Sequence, residues 1–305
     1  MKNNNDSLGA RMKMYEQQSR SFLKRKQPVI LRLDGCHFHT VSRGFDKPFD
    51  VMIERAMKHT MLFICSHIQG CVLGYTQSDE ITLVLCDYQK PDTAAWYDYN
   101  IQKITSVSAS MASFAFIEAL KQECLNLSCL FLSNEDASRR SKLLAEKIEQ
   151  GAFFDSRAFN LPTKEEVVNN LIWREQDAIR NSIQGLAQSL FSHNEIQCIK
   201  NKDILEKMKE EKGIDWSTYL TGYQQRGCCA IRVESEGEYN GTPVKRTSWE
   251  IDNNIPLFTQ DRDYILSRIT FESDKQYTRN LTDEESEIYD EWLNSQSVKT
   301  GEKLF

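Results

Sequence analysis

Short, almost unbroken apolar runs punctuate this chain between longer segments of helical spacing, and two of those runs end in an aspartate. PVILRL leads into Asp34, CVLGY leads into QSDE with Asp79, and TLVL follows directly after it. Such runs predict buried strands, the second and third forming a hairpin. If the strands are neighbours, two carboxylates converge at one end of a sheet. That arrangement suits a pair of hard divalent cations, which prefer oxygen ligands and bridge phosphates.

Around these strands the pattern is helical. SLGARMKMYEQQSRSFL offers Leu8, Met12, Tyr15 and Phe22 as one apolar side, and a helix after Pro48 offers Val51, Met52, Ala56, Leu62 and Ile64. A long helix over 96–122 carries Ser106, Ser110 and Ser113 at small-residue spacings that let it lie close to a sheet, with Ile104, Met111 and Phe114 for the core. Residues 129–132 predict a short strand. A charged helix over 134–150 stops at Gly151, and FFDSRAFNLP reads as a strand or extended edge ended by Pro162.

Thr163 with Glu166 then predicts a capping box for a helix to about Phe191. Along it Asn170, Arg174, Asp177 and Asn181 share one face, while Val167, Leu171, Ile179 and Leu186 occupy another. Such a polar stripe is a solvated face by default. KDILEKMKEEKG predicts a solvent-facing helix ended by Gly213, and residues 228–233 and 248–251 predict late strands joined by a turn through Asn240, Gly241 and Pro243. From about Asp274 the chain becomes polar and acidic.

This order of elements predicts an α+β fold: a polymerase/cyclase-like palm with helices covering one face of a mostly antiparallel sheet, plus a C-terminal helical and strand extension. The expected division is a palm-like core over 1–133, a region over 134–270 that completes the catalytic fold and RNA contacts, and an acidic tail over 271–305.

The 305 residues suffice for a substantial core. A net charge of −6 argues against coating nucleic acid by bulk attraction, so any RNA contact must be a local patch. Nine irregularly spaced cysteines suit buried thiols in a reducing compartment. The first residues lack a signal-peptide core, and no stretch approaches the ~20 apolar residues of a membrane span. The expectation is a cytoplasmic protein. Lys24, Arg25 and Lys26 read as a solvated helix end in preference to a phosphate contact.

Asp34 precedes Gly35, which allows a sharp turn and close approach of the backbone to a metal or phosphate. Singly, an Asp-Gly pair is a common turn and QSDE a common hairpin tip. Together with HFHT and KPFD they supply a nucleotide-holding set: His37 and His39 to donate or stack, Lys47 to neutralise phosphate, Asp50 to accept from a guanine-like edge. Taken one at a time, each histidine is an ordinary structural residue.

RLDGCHFH, FDKPFD, GYTQSDE and, less sharply, FFDSR and WREQD resemble the ordered motif series of the tRNA-histidine guanylyltransferase family, in its guanylyltransferase-like (3′–5′ RNA polymerase) branch. The resemblance implies a nucleotidyltransferase that adds nucleotides to the 5′ end of tRNA or tRNA-like RNA. It implies two Mg2+ ions held by Asp34, the Gly35 carbonyl and Asp79, with Ser78 and Glu80 flanking the site and Glu80 counted among the catalytic acids. It carries nucleotide contacts to Gly35, His37, Phe38, His39, Lys47, Asp50, Ser78 and Lys103, and RNA contacts to Arg157, Arg174, Asp177 and Asn181. ATP would adenylylate a 5′-monophosphate, after which GTP or another NTP is added.

The family works as a homotetramer, which would gather the 170–181 stripe with Arg139 and Arg140 of several copies around one RNA. Where eukaryotic members carry His-Ile-Asn-Asn, this chain has Ile179, Arg180, Asn181 and Ser182. That departure favours template-directed 5′-end repair over fixed guanosine addition to tRNA-His. The alternatives are an RNA-independent cyclase-type enzyme and a non-catalytic RNA-binding protein.

Overall fold

The apolar runs read from the sequence are strands buried on both faces, which is why they show little polar alternation. In a computed structural model describing residues 7–127, 134–239 and 242–271, the chain begins with α1 (Leu8–Gln17), β1 (Val29–Gly35), the single turn α2 (Phe38–Val41) and α3 (Val51–His67). There follow β2 (Cys71–Gln77), β3 (Glu80–Leu85), α4 (Ile101–Leu127), α5 (Asn134–Gln150), β4 (Phe154–Asn160) and α6 (Lys164–Leu190). Short helices α7 (His193–Ile196), α8 (Asn201–Lys212), α9 (Trp216–Tyr219) and α10 (Gly222–Arg226) lead to β5 (Cys228–Tyr239), β6 (Thr242–Asp252) and α11 (Asp263–Ile269).

The six strands form one sheet in the order β4-β1-β3-β2-β5-β6, and every pairing is antiparallel. The mixed α+β layout is as expected, with one difference: helices cover both faces. Val29, Leu31 and Leu33 of β1 face the main core with Met57, Met61 and Ile64 of α3 and Phe116 of α4. Ile30 of the same strand faces the other way, onto Val167, Val168 and Leu171 of α6 and Ile265 of α11. The central strands β2 and β3 are buried at every position. A third cluster, Ile183, Leu186 and Phe191 of the α6 end with Ile204 and Met208 of α8, makes a helical annex. So α8 is not purely solvent-facing.

Three further expectations shift. Leu8, Met12, Tyr15 and Phe22 are all exposed, and α1 buries none of its residues. On α4, Ser106, Ser110 and Phe114 point to solvent, and the close approach to the sheet is made by Ser108, Ala112 and the expected Ser113, whose hydroxyl accepts from the Phe154 amide at 3.2 Å, with the Ser108 hydroxyl 2.8 Å from that of Ser156 on β4. The basic cluster is structural. Arg25 pairs with the buried Asp87 at 2.7 Å, and the Lys26 ammonium donates to the Asp87 carbonyl at 2.8 Å. The strand expected at 129–132, the turn at Asn240 and Gly241, and the tail from Asp274 lie outside the described residues.

Gly227 ties the end of β2 to its neighbour. Its φ is +82°, and a Cβ there would stand 2.4 Å from the Thr76 carbonyl oxygen. Gly227→Ala therefore has to displace the strand that carries the hairpin tip, and is expected to cost about 2–4 kcal/mol of stability in urea denaturation. A loss under about 0.5 kcal/mol would show that the close approach is not maintained in solution.

Candidate active site

The register of β1 against β3 sets Asp34 opposite Glu80, and the Gly35 amide donates to the Asp79 carbonyl at 3.1 Å. The two acid-tipped segments thus end at the same place. Burial pushes the Asp79 carboxyl above the usual carboxylate range, the charge of Asp34 pushes it further, and the Ser78 hydroxyl, donating at 2.9 Å, partly offsets this. Ser78 itself sits at φ +49°, the left-handed residue of the two-residue tip. Gly35 is required for close approach: a Cβ would stand 2.3 Å from Cδ2 of Phe38, although its φ lies outside the left-handed region.

Beside Asp79 opens a cleft of about 310 Å3. One wall is the 38–50 segment, with His39, Lys47 and Phe49 on it; the opposite wall is Asn181 and Ser182 of α6 with Tyr223 and Gln224 of α10. Its mixture of aromatic surface, one cation and amide groups suits a nucleotide: apolar area for a base, donors for phosphate and sugar. Glu54 lies at its side, raised above the usual range by burial and held by the Gln224 amide at 2.6 Å.

Of the nucleotide-contact residues expected from sequence, Phe38, His39, Lys47, Asp50 and Ser78 line this cleft, as do the expected metal ligand Asp79 and the expected RNA contact Asn181. Asp34 and Gly35 adjoin it through the strand-end hydrogen bond. The others stand elsewhere or are otherwise engaged. His37 is exposed and borders a separate hollow with Thr40, Gln150 and Phe153. Asp50 caps α3, one oxygen accepting from the Met52 amide at 2.8 Å and the other from the Asp46 amide at 3.0 Å. It thereby shapes the loop while lining the cleft. Phe38 is 8% exposed and packs edge-on against Phe116, so its ring is core.

Lys103 lies on the first turn of α4 with its ammonium 5.6 Å from the Tyr97 ring centre, away from the cleft lining. Glu80 is buried and bound to Arg174 at 2.7 Å, so this acid is not poised over the reacting groups. Arg174, 5% exposed, is a buried counter-ion in place of an RNA contact. Asp177 is half-buried and paired with Arg180 at 2.6 Å. Arg157 stays half-exposed on β4, 3.6 Å from Asp155. Arg139 is exposed, but Arg140 pairs with Asp46 and Asp50 of its own chain.

Sequence reasoning missed Glu54, Gln77, Tyr223, Gln224 and Arg32. Arg32 stands opposite Arg157 on the same sheet face as Asp34, its Nε buried with no hydrogen-bond partner among the described residues. Its position two residues before Asp34 in a strand was the available signal. Tyr223 and Gln224 come from a single helical turn late in the chain, where no periodicity marks them.

Among the described residues no group of three or more His, Cys, Asp and Glu side chains forms a metal cage. Two carboxylates and a backbone carbonyl, all hard oxygens, nevertheless suit a divalent cation whose remaining ligands are phosphate oxygens and water. Asp34, Gly35 and Asp79 would hold it.

Glu80 and Arg174 form a buried pair whose separation matters more than its existence. Burial raises the Glu80 carboxyl, and Arg174 pulls it back. Arg174→Met alone is expected to cost about 3–5 kcal/mol, whereas Arg174→Met with Glu80→Gln recovers most of it, because breaking such a pair strands a buried charge. Denaturant unfolding of both variants measures this; a single-variant loss below about 1 kcal/mol would mean that water reaches Glu80.

With this geometry in hand, the chain was compared with known proteins. A family model described as tRNAHis guanylyltransferase matches residues 9–162. A bacterial tRNA(His) guanylyltransferase-like protein solved in complex with ATP is 37% identical, with a TM-score of 0.70 over 87% of this chain and 99% of that one. The complex with GTP gives 36% identity and a TM-score of 0.68, over 87% and 100%. An uncharacterised protein of Acanthamoeba polyphaga mimivirus is 30% identical over 223 residues, 70% of this chain and 73% of that protein. The acid-tipped hairpin, the adjoining cleft and these likenesses agree, and the chain belongs to the tRNA-histidine guanylyltransferase family of nucleotidyltransferases.

Proposed function

We propose that this protein adds nucleotides in the 3′-to-5′ direction to the 5′ end of tRNA or a tRNA-like RNA, under direction of the opposing acceptor strand. The observation that carries the reading is the convergence of Asp34 and Asp79 at the mouth of the 38–50 cleft. Support for a nucleotide in that cleft comes from the bacterial relatives described as complexes with ATP and with GTP. Support for templating is the chain's own Ile179, Arg180, Asn181 and Ser182 where the fixed-guanosine enzymes carry a different run. Only Asn181 and Ser182 of these four reach the cleft.

In this proposal Asp34, the Gly35 carbonyl and Asp79 would hold Mg2+, which would supply charge neutralisation to a bound triphosphate. The chain's residues do the placing. Lys47 offers an ammonium to phosphate, Phe49 gives apolar surface to the base, and Gln224 and Asn181 are within the lining to accept and donate at its edges. Burial and the charge of Asp34 both raise the Asp79 carboxyl, so metal and nucleotide are expected to bind together.

The test is incorporation of four separately labelled nucleotides into tRNAs lacking their first residue, with the opposing base varied. Addition should follow Watson–Crick pairing with that base. Asp34→Ala and Asp79→Ala should each lower incorporation by about a thousandfold or more while leaving the unfolding midpoint near its original value. Guanosine addition regardless of the opposing base would overturn templating, and product formed from nucleotide with RNA omitted would favour a cyclase-type reaction.

A further inference from the structure

A segment as long as 38–50 with one turn of helix keeps its shape only if something outside it ties it down. Helix α5, which the sequence marks merely as a charged helix, does this along its length. At one end the Lys147 ammonium, 9% exposed, donates to the Thr40 carbonyl at 2.7 Å. At the other, Arg140 pairs with Asp46 and, at 3.4 Å, with Asp50. Between them Leu143 lies against Gly44 and Leu144 is fully buried in the main core.

Two features set these contacts apart from ordinary surface pairs. Burying an ammonium against neutral oxygens opposes stability, yet among the described residues the other partner of Lys147 is the Gln150 carboxamide at 3.5 Å. Asp50 is at once the cap of α3, the acceptor of the Asp46 amide and the partner of Arg140. Arg140 therefore joins α5, the segment and α3 at a single carboxylate. Neither Arg140 nor Lys147 lines the cleft.

We propose that α5 is a clamp that holds residues 38–50 in the shape that receives the nucleotide, with Arg140 and Lys147 as its positioning residues. The proposal rests on the reading of the cleft as the nucleotide site. A clamp of this kind sets the energy of reaching the bound shape and so acts on nucleotide affinity, leaving the chemical step at saturation unaltered.

The test uses the full-length protein with Mg2+ and measures ATP and GTP binding by calorimetry without RNA, together with steady-state kinetics on a 5′-truncated tRNA. Arg140→Gln and Lys147→Met are each expected to weaken nucleotide binding about tenfold, the scale of one charge-assisted hydrogen bond lost. The kcat at saturating nucleotide and the KM for RNA should stay within about twofold, and Arg140→Lys should recover part of the affinity. Hydrogen exchange of the 38–50 amides should quicken in the variants while that of β1 and β3 does not. If Lys147→Met fails to fold, Arg140→Gln, at a side chain already 20% exposed, carries the test.

Unchanged nucleotide affinity in a folded Arg140→Gln protein, or a fall in kcat with affinity unchanged, overturns the clamp alone. No nucleotide binding by the unaltered protein overturns the reading of the cleft and the clamp with it.

Discussion

Antiparallel pairing of β1 with β3, in the register that sets Asp34 against Glu80, is the constraint on which the remaining architecture depends. A slip of one residue would turn Leu31 and Leu33 out of the main core and Ile30 into it, exchanging the surfaces packed by α3 and α4 with those packed by α6. The same slip would carry Asp34 away from the hairpin tip. Core packing and the site are thus specified by one set of contacts. That is why the acids can be held without any dedicated scaffold of their own.

The apolar sheet delivers an electrostatic load at its end. Asp34, Asp79, Glu80 and Asp155 all gather there, and burial works against the ionised forms of Asp79 and Glu80. The fold neutralises one of them internally, Glu80 by Arg174, and sets Arg157 near Asp155. Among the described residues Asp34 and Asp79 have no basic partner of that kind. A pair of acids held together and left unneutralised is a site that favours an incoming cation.

Around this centre, positioning is divided between elements remote in sequence. One wall of the cleft belongs to residues 38–50, which α5 contacts from about a hundred residues later in the chain. The opposite wall belongs to α6, which packs on the sheet through Val167, Val168 and Leu171, and to α10, whose Arg226 carbonyl accepts from the Tyr75 hydroxyl of β2 at 2.6 Å. The site is therefore closed by three separate packing units, each anchored to the same sheet.

Much of this was legible in the residues. The unbroken apolar runs announced buried strands, Asp50 and Thr163 announced helix starts, Gly151 and Gly213 announced helix ends, and the acid-tipped runs announced the site, because each signal acts over a few neighbouring positions. What sequence could not decide was which charges meet. Arg174 and Glu80 are 94 residues apart and pair only when α6 lies across the sheet; the polar stripe that looked solvated holds a buried guanidinium. Arg140 looked like a surface cation until α5 settled against Asp46 and Asp50. Of the serines expected to face the sheet, Ser113 does so and Ser106 and Ser110 turn to solvent, because the rotation of α4 about its axis is set by Phe38, Phe154 and the sheet surface rather than by its own spacing. Local chemistry determined where elements begin, end and carry acids. Tertiary structure alone decided the partner of each charge, since an ion pair is fixed by distance in space and low-dielectric surroundings, neither of which is encoded in the spacing of residues along the chain.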